Sequence, residues 1–166
     1  EGDAVAAGDL VAVLDNTGDL YLGLDDTSVM RHITPDYLRL SRDAFRACDM
    51  VAFDLNLSDD AIAEAIRLAR EYDKRIVVDP TSTERAVRAC RHLPYLNVIT
   101  PNLYEAAAIL GCATPNTPSD AINAARKLVA MGVDIAVITQ AEQGACYATE
   151  NERGHFPSVK VEIADT

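Results

Sequence analysis

Basic side chains are scarce in this sequence. Lys and Arg number 15 against 26 Asp and Glu, a formal charge of -11. A nucleic-acid binder needs a basic face to replace phosphate counterions, so the balance argues against that class. It leaves an anionic ligand open, because backbone N–H groups and a metal can hold phosphate on an acidic protein. No run approaches the roughly 18 consecutive apolar residues of a membrane span, and no secretory signal is visible. Cysteine is sparse too. Cys48, Cys90, Cys112 and Cys146 lie far apart without a C-x-x-C, and read as buried thiols of a cytoplasmic protein rather than a disulfide or zinc framework. His32, His92 and His155 lack metal-ligand spacing. Internal repeats and low-complexity linkers are missing as well.

What is present suits one packed domain. Of 166 residues, 49% are hydrophobic and 25% charged, enough for a core and too ordered a composition for disorder. LVAVLD (10–15) and LYLGL (20–24) read as strands of a hairpin around NTGD, with Gly18 in the turn. TPDYLRLSRDAF predicts a helix with Thr34 as N-cap and Pro35 at its first position. MVAFDL (50–55), RIVVD (75–79), NVIT (97–100) and DIAVITQ (134–140) are short apolar runs fit for buried parallel strands. Helices fall between them. Ser58 caps DDAIAEAIRLAREYD, ERAVRACRHL is a short helix, LYEAAAIL closes at Gly111, and SDAINAARKLVAMG runs from a Ser119 cap to a stop at Gly132. GACYATE and HFPSVKVEI read as exposed antiparallel strands. Alternation of strand and helix means an α/β domain with a parallel sheet, and the front hairpin is an accessory β element.

Ligands of such sheets bind beyond the carboxyl ends of the strands. Four ends turn polar at once: Asp54-Leu55-Asn56, Asp79-Pro80-Thr81-Ser82, Thr100-Pro101-Asn102 and Thr139-Gln140. Each has a plain explanation, since Asn, Ser and Thr cap helices. Asn102 and Glu105 in particular have capping-box spacing. The residues alone specify a polar crevice and no reaction.

The order of the stretches carries more. ITPNLYEA resembles the P-N-x-x-E element of the PfkB-type (ribokinase-like) carbohydrate and nucleoside kinases. VITQAEQGA is similar to that family's T-L-G-x-x-G nucleotide element, with Ala141 where the family usually has Gly. VEIADT resembles the lead into its D-T-x-G-A-G-D signature, and DLNLS, VVDPTST and ITPNLYEA resemble the pseudouridine kinase branch. The resemblance implies a ribokinase-like three-layer αβα sandwich, present in part, with residues 1–30 a β lid element and 31–166 the central part of the domain. It implies ATP and Mg²⁺ as cofactors and transfer of the γ-phosphoryl to a hydroxyl of a small sugar or nucleoside, with pseudouridine and its 5'-hydroxyl favoured. The other readings are another PfkB sugar kinase of the ribose, fructose or 2-keto-3-deoxygluconate type, or a non-catalytic nucleotide-binding module. No nucleic acid or membrane partner is expected.

Site roles follow from the same resemblance. Asn102 lies near the nucleotide phosphates, Glu105 in the water shell of Mg²⁺, and Thr139, Glu142 and Gly144 in the loop along ATP. Asn56 reaches the substrate from its strand end, and Arg85, just after Thr81 and Ser82, is either a solvated arginine on its helix or, as the pseudouridine kinase branch suggests, a phosphate contact. The hairpin covers the sugar, and its edge strands offer a route to a homodimer. The family's catalytic Asp sits in a G-A-G-D that would follow Thr166, and its glycine-rich substrate motif would precede Glu1. On this resemblance the chain is an internal segment of a longer kinase, inactive by itself.

Overall fold

A computed structural model describes residues 10–14 and 20–159. The NTGD turn with Gly18 and the VEIADT segment lie outside the described residues. The front hairpin is a two-stranded antiparallel sheet of β1 (Leu10–Leu14) and β2 (Leu20–Asp25). The main sheet has six strands in chain order: β3 (Met50–Asp54), β4 (Arg75–Asp79), β5 (Val98–Ile99), β6 (Ile135–Thr139), β7 (Ala145–Ala148) and β8 (Arg153–Phe156). Strands β3 to β6 pair in parallel, and β7 and β8 return antiparallel.

Strands that always advance in one direction, joined by right-handed crossovers, send every connecting helix to the same face. Burial follows that rule. Ile76, Val78, Ile99, Ala136 and Ile138 share one face at 1% exposure or less and join one core with Leu38, Ile62, Leu93, Ile109 and Leu128. On the other face Val77, Val98 and Val137 are half-buried and Met50 and Ile135 are exposed. Edge strand β3 is thus less buried than its apolar run predicts, because it pairs on one side only among the described residues.

The helices are α1 (Pro35–Leu40), α2 (Arg42–Ala47), α3 (Asp59–Glu71), α4 (Thr83–Ala86), α5 (Leu103–Leu110) and α6 (Pro118–Ala130). Their starts are chemical. Thr34 Oγ1 accepts from Tyr37 N–H at 3.2 Å and Ser58 Oγ accepts from Ala61 N–H at 3.2 Å, as the sequence predicts. Other boundaries differ. The 34–45 helix breaks at Ser41. After α4 the chain tightens into a 3₁₀ turn, Val87–Arg91. Helix α6 is capped by Thr117 and not Ser119: Pro118 takes the first helical position, and Thr117 and Asp120 cap each other reciprocally. Strand β7 is buried rather than exposed, with Cys146 and Ala148 at 0%, because α6 packs on it. Among the thiols only Cys146 is buried, Cys48 and Cys90 are half-buried and Cys112 is exposed beyond the end of α5.

The β6–β7 connection is tightly made. Gln140 N–H donates to Gly144 O at 2.8 Å, His155 Nε2 meets Gln143 O at 2.7 Å, and Ser158 Oγ donates to Glu142 O at 2.6 Å. Gly144 has φ +91°, and a Cβ there would lie 2.0 Å from Phe156 O and 2.7 Å from Ser158 N. Ala141 sits in the left-handed region at φ 48°, which explains why glycine suits that position. Alanine there is strained by about 1–2 kcal/mol.

Two stability predictions follow from these contacts. We expect Ala141→Gly to stabilise the protein by about 0.5–1 kcal/mol, after the entropic cost of glycine. Gly144→Ala should destabilise it by at least about 2 kcal/mol through clash and backbone strain. Thermal unfolding of both variants measures the two signs, and an Ala141→Gly protein less stable than its parent would contradict the strain argument.

A further prediction concerns Glu64, whose carboxylate is 10% exposed on α3 and takes bonds from Arg67 Nη2 at 2.8 Å and Nε at 3.1 Å, with Arg39 at 3.4 Å. The Arg67 bonds hold its pKa below the ordinary 4.5 although burial opposes them, and the charges of Arg67 and Arg39 add to the lowering. This stabilisation is complete above pH 4.5 and is lost as pH falls through the lower folded-state value. Glu64→Gln should cost about 1 kcal/mol at neutral pH and lose less stability than the parent on acidification. Urea unfolding at neutral and acid pH checks this; equal acid sensitivity would remove Glu64 from the account.

Candidate active site

Strands β3 to β6 are parallel, so their carboxyl ends share one rim, and the ends of β3, β4 and β5 are each finished by a side chain that bonds its own turn. At β3, Asp54 Oδ1 accepts Asn56 N–H at 2.9 Å and Asp54 Oδ2 accepts Asn56 Nδ2 at 2.9 Å. The second bond fixes the amide: only Nδ2 can donate to a carboxylate. Asn56 Oδ1 is left buried without a partner. A buried acceptor with no donor costs about 1–3 kcal/mol and invites a donating group from outside.

At β4, Asp79 Oδ1 accepts Thr81 N–H at 2.9 Å and Asp79 Oδ2 accepts Thr100 Oγ1 at 3.1 Å. Thr81 has φ 68°, rare for a β-branched residue and a form of strain that clusters at functional sites. Ser82 caps α4 by accepting Arg85 N–H at 3.3 Å. The Arg85 side chain is half-buried and makes no ion pair among the described residues.

At β5 the chain turns into α5 within three residues. Pro101 is buried and ends the strand. Asn102 Oδ1 accepts both Tyr104 and Glu105 N–H at 2.9 Å, and Glu105 Oε2 accepts Asn102 N–H at 2.9 Å. The capping box read from the sequence is therefore complete. It also sets what remains: the Asn102 acceptor is used, and its exposed amide NH₂ makes no hydrogen bond among the described residues. Glu105 is 4% exposed. Burial pushes its pKa up, the bond from Asn102 N–H works against that, and the charge of Asp79 raises it further.

The β6 end joins this group directly. Asn102 forms a parallel bridge with Thr139, whose N–H donates to Pro101 O at 3.0 Å. The loop beyond carries Ala141, Glu142, Gln143 and Gly144. Its carbonyls at 142 and 143 are occupied toward β8, whereas the N–H groups of Ala141 and Glu142 have no partner among the described residues. Glu142 itself is exposed.

Asn102, Glu105 and Thr139 are thus brought together, with Asp79 beside them. Asn56 is apart: it shares no hydrogen bond with that group, and the link runs through Leu55 N–H to Asp79 O at 3.2 Å. Sequence reasoning gave Asp54 and Asp79 no role. The signal was available, because both are the last residue of an apolar strand and each stands two residues before the polar side chain it orients. Free amide donors suit a polyanion, and two neighbouring carboxylates suit a cation. Among the described residues no three His, Cys, Asp or Glu converge, so an all-protein metal cage is not built. A Mg²⁺ ion, which keeps most of its waters, needs only one or two carboxylates, and this residue set fits it. No helix among the described residues is long and apolar enough to cross a membrane.

The chain is 24% identical over 154 residues to pseudouridine kinase of Escherichia coli (strain K12), covering 92% of this chain and 48% of that protein. It is 28% identical over 134 residues to ribokinase of Staphylococcus aureus (strain COL), covering 81% and 43%. An E. coli protein provisionally named ribokinase II, solved in complex with ATP and Mg²⁺, superposes with a TM-score of 0.62 at 19% identity over 79% of this chain and 44% of that one, and shares the ribokinase-like α/β fold. The chain spans about half the length of the curated relatives it matches. Residues 24–166 match the pfkB family of carbohydrate kinases, whose members use ATP, and the chain belongs to that family.

Proposed function

We propose that the protein carrying this chain is an ATP- and Mg²⁺-dependent kinase that transfers the γ-phosphoryl to a hydroxyl of a small sugar or nucleoside, with the 5'-hydroxyl of pseudouridine as acceptor. The observation that carries this reading is the Asn102–Thr139 bridge, which joins the P-N-x-x-E helix start to the nucleotide-loop strand in a family of carbohydrate kinases. Likeness to a pseudouridine kinase supports the acceptor.

The side chains take roles from their free groups. Asn102 donates its amide NH₂ to phosphate oxygen. The strand end at Thr139, the N–H groups of Ala141 and Glu142, and the bend at Gly144 line the path of ATP. Glu105 would hold Mg²⁺ through water, with Asp79 as a second carboxylate beside it, and the ion would supply charge neutralisation on the transferring phosphoryl. Arg85, with Thr81 and Ser82, faces a phosphate. Asn56 Oδ1 accepts from an acceptor hydroxyl, because its amide nitrogen is committed to Asp54. The β1–β2 hairpin is the lid: Val11 and Val13 at 42% and Leu24 at 52% exposure are apolar surface to lay over a sugar, excluding water from the transfer. Its free edges give a homodimer contact.

A second reading, a ribose-type sugar kinase, is favoured by the 28% identity to ribokinase. The full-length protein separates the two. Pseudouridine, uridine, ribose, fructose and 2-keto-3-deoxygluconate are each offered with ATP and Mg²⁺. We expect pseudouridine to turn over fastest, and Asn56→Ala to cost about 1–3 kcal/mol of acceptor binding with little change in the KM for ATP. Preference for ribose would replace the acceptor and keep the kinase; no turnover at all would favour a binding module.

Glu105→Gln tests the cation. Glutamine keeps the acceptor that caps Asn102 N–H, so folding should be preserved while half-maximal activity moves to higher Mg²⁺ by roughly tenfold, the loss of one charged ligand contact. An unchanged Mg²⁺ titration would make Glu105 a structural residue only.

A further inference from the structure

Arg88 lies on the 3₁₀ turn Val87–Arg91, well away in sequence from the β3–α3 connection, yet its guanidinium is spent on that connection. Nη1 donates to Leu55 O at 2.8 Å, Nη2 to Leu57 O at 2.8 Å, and Nε to Asp59 Oδ1 at 2.8 Å, with Nη2 also 2.6 Å from the same carboxylate oxygen. The side chain is 26% exposed. The two carbonyls it holds flank Asn56.

We infer that Arg88 is a positioning residue for the phosphoryl acceptor, acting through Asn56; this rests on the reading of Asn56 given above. The fork and the strand end leave Asn56 little freedom. Leu55 and Leu57 are 1% and 5% exposed and turn into the core, and Asn56 between them is half-buried with its Oδ1 buried. Arg88 fixes the carbonyl on either side of it, and Asp54 fixes its Nδ2. The direction of the orphaned Oδ1 is the product of these anchors. Asp59, at the first position of α3, completes the grip, and its carboxylate pKa is lowered chiefly by the Arg88 bond. The segment bearing Arg88 is also the one that leaves Asp79 and Thr81, so the fork ties the β3 and β4 ends into one piece. Lysine at this position keeps the charge and loses the planar fork that serves two carbonyls and a carboxylate at once.

The test is kinetic and uses the full-length protein. Arg88→Lys should raise the acceptor KM about tenfold, the loss expected when an aligned hydrogen bond is misplaced, with kcat and the KM for ATP changed by less than about twofold. In an Asn56→Ala background the same substitution should add less than about twofold to the acceptor KM, because coupled residues are not additive. A full tenfold effect in that background would overturn the inference, and so would a matched rise in both KM values with a lowered unfolding temperature, which is the signature of a purely structural role. If the parent phosphorylates no acceptor, the proposed function falls, and the clamp is then read by NMR. The Asn56 side-chain amide resonance should shift and broaden in Arg88→Lys while the β6 backbone amides stay in place; an unmoved Asn56 resonance overturns the clamp.

Discussion

Parallel pairing is the constraint on which the site depends. Once β3, β4, β5 and β6 point the same way, each of them delivers its last residue to the same rim, and helices α3, α4 and α5 begin there. Helix starts expose unpaired N–H groups and strand ends expose unpaired carbonyls. The rim must therefore be rich in Asp, Asn, Ser and Thr whatever the protein does. Asp54, Asp79, Ser82 and Asn102 all satisfy backbone donors within a few residues of themselves.

Capping and ligand binding need not compete for these side chains. Each capping bond consumes one end of a bifunctional group and aims the other. Asn102 spends its oxygen on α5 and keeps its NH₂, whereas Asn56 spends its nitrogen on Asp54 and keeps its oxygen. One is left a donor, suited to phosphate, and the other an acceptor, suited to a hydroxyl. The cost of the arrangement is visible in three places: a buried carboxylate at Glu105 and left-handed backbone at Thr81 and Ala141. Both left-handed residues stand two positions beyond the end of a strand, at β4 and at β6, where the chain turns sharply at the rim.

Much of this was legible from the chain. The strand–helix alternation, the caps at Thr34, Ser58 and Asn102, the stop at Gly111 and the hairpin pairing follow from side-chain chemistry that acts locally. The kinase family followed from motifs in order. Errors came where a neighbour decides. Burial of β7 depends on α6 lying across it, and exposure of β3 depends on its place at the edge; neither is written in a five-residue run. The Thr117 cap was missed because Ser119 looked equivalent until Pro118 took the first helical position. Arg88 could not be found at all, since its three partners lie on another crossover and a lone arginine in a helix-like segment has no distinguishing pattern.

Sheet order has a consequence for how the protein is made. Among the described strands of the main sheet, each from β4 onward is laid beside the one that precedes it in the chain, so none of them waits for a partner not yet synthesised. A polypeptide leaving the ribosome N-terminus first can close each parallel pair, with its crossover helix, before the next strand emerges. Pairing of distant strands is the slow and aggregation-exposed step in sheet formation. This order keeps the growing edge one strand wide, and β7 and β8 continue it as a short antiparallel ribbon.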